Sequence, residues 1–184
     1  MSADSRRVEF HDEVLEDAVR KALKKTTGEI SLDDMQAIYN LDLNDTAVQD
    51  ISDLAYCTNL EGLALQHTRV ATLAPLSSCK ELKLLSINGT EVEDLSPISG
   101  LTRLRDLFVG GTKVSNVASV AKLNRLRIVS FAYSPVESIT PLMYVLERGG
   151  LKMGTVYLYA APLCDHSRYV VAPSLRAAGV DVRL

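Results

Sequence analysis

The segment Leu60–Glu81, LEGLALQHTRVATLAPLSSCKE, decides the fold because its pattern of apolar residues returns every 22 residues. Its first leucine is followed by apolar residues three and five places further on, and the same frame extends backwards to Ile38. A fixed period of this length is typical of solenoids, in which each repeat forms one coil. We therefore predict five coils over residues 38–147, four of which carry the repeated leucines Leu60, Leu82, Leu104 and Leu126.

Each predicted coil combines one short strand with one layer of a shared core. The LxxLxL segment alternates apolar and polar residues, which is the periodicity of a strand, and such strands should pair in parallel into one curved sheet. Stability then depends on stacking, because no coil can bury its apolar face alone. A column of hydroxyl residues should satisfy backbone carbonyls where the chain leaves each strand. Its members are Thr46, Thr68, Thr90, Thr112 and Ser134.

The remainder of each coil is short and contains turn residues such as Pro75, Pro97 and Pro141. These features predict a thin convex side made of 3₁₀ and extended segments. Cys57 and Cys79 are one period apart and occupy an apolar column, so we interpret them as core residues rather than as a redox pair.

Both flanks of the repeats predict caps. Residues 10–25 should form an amphipathic helix that ends at Gly28, and Ser31 with Asp34 should open a second, shorter helix. After residue 147, strand alternation resumes at Val156, followed by a helix over 169–178 and further alternation at residues 180 and 182. We therefore predict a single domain, 1–184, in which 1–37 form a helical cap, 38–147 the five repeats and 148–184 a strand and helix cap.

The sequence resembles the internalin-type leucine-rich-repeat proteins of bacteria. The resemblance rests on the 22-residue coil, on the cap-like opening VEFHDEVLEDAVRKAL and GEISLDDM, and on the closing segment APLCDHSRYVVAPSLRAAGVDV. Ala161 stands where the closing NPL motif of such arrays has asparagine, so the turn that depends on asparagine is not carried over. The resemblance implies a right-handed α/β horseshoe with a parallel concave sheet, and recognition of macromolecules through that sheet; it supplies no catalytic residues.

Composition argues against several classes of function. The net charge is −3 and Lys and Arg form no block along the chain, so nucleic acid is not expected as a partner. Three cysteines without a CxxC pair argue against a zinc site and a disulfide framework, and we expect a cytoplasmic protein without metal or cofactor. No stretch approaches the roughly 20 apolar residues of a membrane helix, so no membrane partner is expected. The three histidines have no nucleophile or paired acid placed beside them by the sequence, and we predict no enzyme activity.

The outward positions of the predicted strands change from polar in the first coil to apolar and aromatic in the last. Aromatic anchors dominate the energetics of interfaces, so we expect a partner to bind there. An alternative is that single exposed apolar residues are ordinary and that Tyr157 and Tyr159 seal the last coil. The predicted partner-binding residues are Leu84, Ser86, Asp106, Phe108, Ile128, Ser130, Tyr133, Tyr157 and Tyr159.

The function predicted from these features is a protein-binding module, acting as an adaptor, regulator or inhibitor, that is a monomer or a weak homodimer. One alternative is a secreted or delivered effector or adhesin of internalin type. A second alternative is an enzyme or a small-molecule sensor, which would need a pocket that a shallow solenoid hardly offers.

Overall fold

A parallel sheet of seven short strands runs through the protein, and each strand pairs with the next in chain order. The computed structural model describes residues 7–184, so the first six residues of the predicted cap 1–37 lie outside the described residues. The strands are β1 (Asn40–Asp42), β2 (Gly62–Ala64), β3 (Leu84–Ser86), β4 (Asp106–Phe108), β5 (Ile128–Ser130), β6 (Thr155–Tyr157) and β7 (Asp181–Arg183).

The strand register confirms the repeat. From β1 to β5, register partners are one period apart, as in Leu63 with Leu85 and Leu85 with Leu107. These three leucines are fully buried, at 0% exposure, in a core that continues through every coil. Burying one leucine side chain contributes roughly 1.5–3 kcal/mol, so the stacked columns supply the main favourable term of folding.

The predicted role of the hydroxyl column is confirmed. Thr68 Oγ1 donates a hydrogen bond of 2.8 Å to the carbonyl of Leu65, three residues earlier, and Thr46, Thr90 and Thr112 make the equivalent bond. Ser134 differs, because its hydroxyl reaches back one coil and donates to the carbonyl of Val109 at 2.6 Å. The column therefore supplies hydrogen-bond donors to carbonyls that lie inside the protein where each strand ends.

The convex side consists of four 3₁₀ helices, as predicted, at Ser52–Tyr56, Ala74–Ser78, Ser96–Gly100 and Ala118–Lys122. The prediction is wrong for the fifth coil, where Pro141–Glu147 form an α-helix, α3. The reason is length, since the register partners Ile128 and Thr155 are 27 residues apart instead of 22. The longer connection has room for nearly two helical turns, and proline is well suited to the first of them.

Two helices form the N-terminal cap. The first, α1 (Glu13–Leu23), begins at Asp12, whose carboxylate accepts the backbone N–H groups of Val14 and Leu15. It ends at Lys24, which adopts the left-handed conformation with φ 54°, so the prediction that Gly28 ends it is wrong. The second, α2 (Leu32–Gln36), carries the predicted reciprocal capping bonds between its N-cap serine and Asp34.

Two aspartates join this cap to the first coil. Asp12 Oδ2 also accepts the N–H groups of Gln49 and Asp50, at 3.0 and 3.1 Å. Asp53 is 2% exposed, and its carboxylate accepts the N–H of His11 at 3.0 Å and lies 3.1 Å from His11 Nδ1. The cap is thus held by hydrogen bonds as well as by apolar packing.

The C-terminal segment continues the sheet after the last regular coil. A π-helical turn, Ser167–Val171, leads directly into α4 (Ala172–Ala177), which buries Leu175 and precedes β7. Within residues 7–184, no helix has the length and apolar character needed to cross a membrane.

Candidate binding surface

Two columns of side chains leave the sheet on the side opposite the core, and we name this side the concave face. Strand pairing aligns them from coil to coil, with neighbouring strands about 4.8 Å apart. The first column is Asn40, Gly62, Leu84, Asp106, Ile128, Thr155 and Asp181. The second column is Asp42, Ala64, Ser86, Phe108, Ser130, Tyr157 and Arg183.

The concave face has two halves of different character. At its N-terminal end, Asn40 and Asp42 are exposed, and the small residues Gly62 and Ala64 leave a shallow depression of about 440 Å³. At its C-terminal end, large side chains cover the sheet. We name Phe108, Ile128, Tyr157 and Tyr159 the aromatic cluster; the first three are half-buried and Tyr159 is 40% exposed.

Tyr157 is held in place from two sides. Its ring centroid lies 6.2 Å from that of Tyr159, with the rings tilted by 42°. The guanidinium of Arg183 lies 5.3 Å from the Tyr157 ring centroid and also donates to Asp181 at 2.8 Å. Cation–π contact of this kind orients an aromatic ring that remains partly open to solvent. Strand β7 pairs beyond Tyr157, so this tyrosine is not on the last strand of the sheet.

Two of the nine predicted site residues have little surface to offer a partner. Ser86 is 4% exposed and Ser130 is 9% exposed, although both lie in the second column of the concave face. They are short side chains that flank Phe108 in that column, and Tyr157 is the next neighbour of Ser130. The Oγ of Ser86 is buried and has no hydrogen-bond partner among the described residues.

The other predicted residues are accessible. Leu84 is 37% exposed, and Asp106 in the same column is half-buried. Tyr133 lies just beyond β5, is 72% exposed and adopts the left-handed conformation with φ 59°. The equivalent positions in the four earlier coils have the same conformation but carry glycine, Gly89 and Gly111, or the polar residues Asp45 and His67. A bulky tyrosine is an unusual occupant of this conformation.

A basic feature beside the concave face was not predicted. The residues that precede β3, β4 and β5 are Lys83, Arg105 and Arg127, and we name them the basic edge. Backbone bonds align them, because the N–H of Arg127 donates to the carbonyl of Arg105 at 2.7 Å and that of Arg105 to Lys83 at 2.8 Å. A search for contiguous basic residues overlooks them because they are 22 residues apart.

The charges of the basic edge are only partly compensated. Lys83 Nζ pairs with Glu61 Oε1 at 2.6 Å, one coil earlier. Among residues 7–184, neither Arg105 nor Arg127 has a carboxylate within 4.0 Å, although Asp106 follows Arg105 directly in the chain. Both arginines are exposed.

Comparison with solved structures identifies the architecture. The chain is similar to internalin C2 of Listeria monocytogenes, with 22% identity and a TM-score of 0.67 over 94% of this chain and 83% of that protein. It is similar to internalin F of the same organism, with 19% identity and a TM-score of 0.54 over 100% of this chain and 66% of the other.

A leucine-rich-repeat protein of Leptospira interrogans matches with 17% identity and a TM-score of 0.66, over 83% of this chain and 44% of that protein. The chain has the leucine-rich-repeat fold. No protein-family model matches its sequence, and no curated protein matches it significantly. At these identities, the likeness establishes the fold of this leucine-rich-repeat chain and leaves its function to be argued from the surface.

The cysteines of this leucine-rich-repeat chain differ in environment. Cys57 and Cys79 are fully buried, as predicted, and burial raises the pKa of the Cys57 thiol to about 12. Cys164 is exposed, and hydrogen bonding with the Ser167 side chain, to whose Oγ the thiol donates at 3.4 Å, and with the Ser167 N–H lowers the pKa of this thiol. The buried thiols are therefore inert, whereas Cys164 is open to chemical modification.

The three histidines also lie apart. His11 contacts Asp53 in the cap, His67 lies in a coil turn and His166 lies at the start of the closing helix. Among residues 7–184, no cluster of three or more His, Cys, Asp or Glu side chains could hold a metal ion.

Proposed function

We propose that this protein is a non-catalytic binding module that recognises one protein partner through the C-terminal half of its concave face. The observation that carries the proposal is the aromatic cluster. In a chain with only 5% aromatic residues, Phe108 and Tyr157 lie in one column beside Ile128, Tyr159 packs beside Tyr157 just beyond β6, and all three remain partly exposed. Aromatic side chains on a rigid surface supply large contact area at low conformational cost.

The geometry of the sheet supports this proposal. Phe108 and Tyr157 are two strands apart in one column, about 10 Å, which suits contact with a single partner segment. Both lie on strands whose inward neighbours are fully buried, so the platform beneath them is rigid. In the binding of a partner, Leu84, Asp106 and Tyr133 would surround the cluster, and Ser86 and Ser130 would form its floor.

The test is a pull-down from the source cell with the wild-type protein and with a Phe108→Ala, Tyr157→Ala double variant. The matched control is Tyr56→Ala, Tyr144→Ala, which removes two rings that are 45% and 51% exposed away from the concave face. Circular dichroism and thermal unfolding show whether each variant folds. We expect a specific partner that is lost from the concave variant and retained by the control; a partner retained by the folded concave variant would contradict the proposal.

The proposal also covers the cellular compartment and the oligomeric state of the protein. We propose action in the cytoplasm, because a reducing compartment keeps three free cysteines unpaired. We propose a monomer or a weak homodimer, and light scattering at several concentrations tests this. A stable dimer that dissociates when the aromatic cluster is replaced would make a second copy of the chain the partner.

A further inference from the structure

The structure places uncompensated positive charge directly beside the aromatic cluster. The short segments that lead into β3, β4 and β5, residues 80–83, 102–105 and 124–127, carry six Lys or Arg residues and one acid, Glu81. This occurs in a chain whose net charge is −3. Glu81 pairs with Arg103 and Glu61 pairs with Lys83. Arg105 and Arg127, like Lys80 and Arg125 beside them, have no carboxylate within 4.0 Å in the described part of the chain.

The opposite edge of the sheet has the opposite charge. The segments that leave β3, β4 and β5, residues 89–94, 111–116 and 133–138, carry four acids and one base, Lys113. That lysine is already paired with Glu91 and Glu93, at 3.5 and 3.7 Å. The face is therefore polarised along the strand direction, with its positive end at the strand entry.

The side chains of Arg105 and Arg127 make no hydrogen bond or ion pair that would stabilise the described part of the fold. Arg105 and Arg127 occupy equivalent positions on adjacent coils, and like charges in that arrangement are unfavourable. Their side chains are exposed and take part in no ion pair among residues 7–184. Adjacent like charges that lower stability and make no stabilising contact are typical of a binding site.

We propose that the partner segment is an acidic peptide, with carboxylates that pair with Arg105 and Arg127 and an apolar anchor that contacts the aromatic cluster. This inference rests on the proposed function and adds the chemistry of the partner. Arg105 directly precedes β4 and Phe108 ends it, three residues and about 10 Å further on, a distance that a peptide with carboxylates and an apolar residue a few positions apart can span. Arginine forms bidentate bonds to carboxylates, which gives such a contact direction as well as strength.

Acidic groups on this face do not prevent the contact. Asp106 lies in the first column but forms no ion pair within 4.0 Å, and Asp181 is already paired with Arg183. The exposed Asp42 lies three strands from Asp106, at the other end of the face. The C-terminal half thus presents its free positive charge at the strand entry.

The experiment is a selection of phage-displayed random 12-residue peptides on the immobilised full chain, followed by anisotropy titration of the most enriched peptide. The titration uses the wild type, an Arg105→Gln, Arg127→Gln variant and a control, Arg69→Gln, Arg168→Gln, which loses the same charge elsewhere. We expect enrichment of Asp and Glu beside an apolar residue. We also expect affinity to fall about three- to tenfold in the first variant, remain unchanged in the control and weaken with salt.

Enriched peptides without acidic residues, or an acidic peptide whose affinity is the same for the Arg105→Gln, Arg127→Gln variant, would overturn the proposal. Failure to enrich any peptide, or binding of a 20-nucleotide RNA in its place, would overturn it as well. The Phe108→Ala, Tyr157→Ala variant distinguishes failure of the proposed binding site from failure of the proposed acidic partner. If it loses binding while the arginine variant does not, the concave site stands and the acidic chemistry is wrong; if neither variant matters, the site itself is wrong.

Discussion

Replacing Thr90 by valine tests whether the hydroxyl column stabilises the stacked coils. Thr90 is 4% exposed, and its Oγ1 donates a hydrogen bond of 2.7 Å to the carbonyl of Ile87. Valine preserves the shape of the side chain and removes that donor. A net hydrogen bond contributes about 0.5–1.5 kcal/mol, and the Ile87 carbonyl keeps a weaker bond of 3.3 Å from the Thr90 N–H. We therefore expect a loss of about 1 kcal/mol in the free energy of unfolding.

The assay is urea unfolding followed by circular dichroism, with thermal unfolding as a second measure. For a chain of this size, 1 kcal/mol corresponds to about 2–4 °C in Tm. The control is Thr102→Val, at an exposed position whose hydroxyl makes no hydrogen bond within residues 7–184, for which we expect a change within about 0.5 kcal/mol. If Thr90→Val leaves stability unchanged or raises it, the hydroxyl column does not stabilise the fold in the way argued.

Three further predictions concern the cap, a strained turn and the cysteines. Asp12→Ala should cost about 1–2 kcal/mol at pH 7. Burial raises the pKa of Asp12, but the four backbone N–H groups that its carboxylate accepts outweigh burial and lower the pKa below the ordinary value of 3.8. The stabilisation from Asp12 is therefore present above pH 3.8 and is lost as pH falls through the folded-state pKa. In urea unfolding, the difference in free energy of unfolding between wild type and variant should be smaller at pH 3 than at pH 7, and a constant difference would contradict this. Tyr133→Gly should stabilise the chain by about 1 kcal/mol by relieving a left-handed tyrosine, and a lower urea midpoint would refute this. Iodoacetamide should alkylate Cys164 in the native protein and Cys57 and Cys79 only in urea, and mass spectrometry that finds Cys57 modified without urea would show that the core opens.

The regular part of the fold could be predicted because the same local pattern occurs in every coil. Columns such as Leu63, Leu85 and Leu107 define both the strand and its register, so one period determines the parallel sheet. Features that occur in only one coil were harder to predict from the sequence. The α-helix Pro141–Glu147 arises from the extra length of the fifth coil, and the end of α1 depends on a left-handed Lys24 that sequence preferences do not favour. The division into residues 1–37, 38–147 and 148–184 stays a prediction.

The surface could be predicted in part. Alternation along each strand identifies which side chains lie on the concave face, but not how far neighbours cover one another, and so the burial of Ser86 and Ser130 was not anticipated. The basic edge was missed because stacking brings together residues that are far apart in sequence. Asp53 was missed for a related reason: its partner, His11, lies 42 residues earlier in the cap.

Site-specific photo-cross-linking tests the central claim most directly. Benzoylphenylalanine replaces Tyr157 on the concave face in one variant and Tyr144 on α3 in another, and each is irradiated in the source cell. Both tyrosines are at least partly exposed, so the ring is accessible in either place. We predict a cross-linked partner band from position 157 and none from position 144. A band from position 144 with none from 157 would show that the partner binds the convex side, in contradiction to the proposed site.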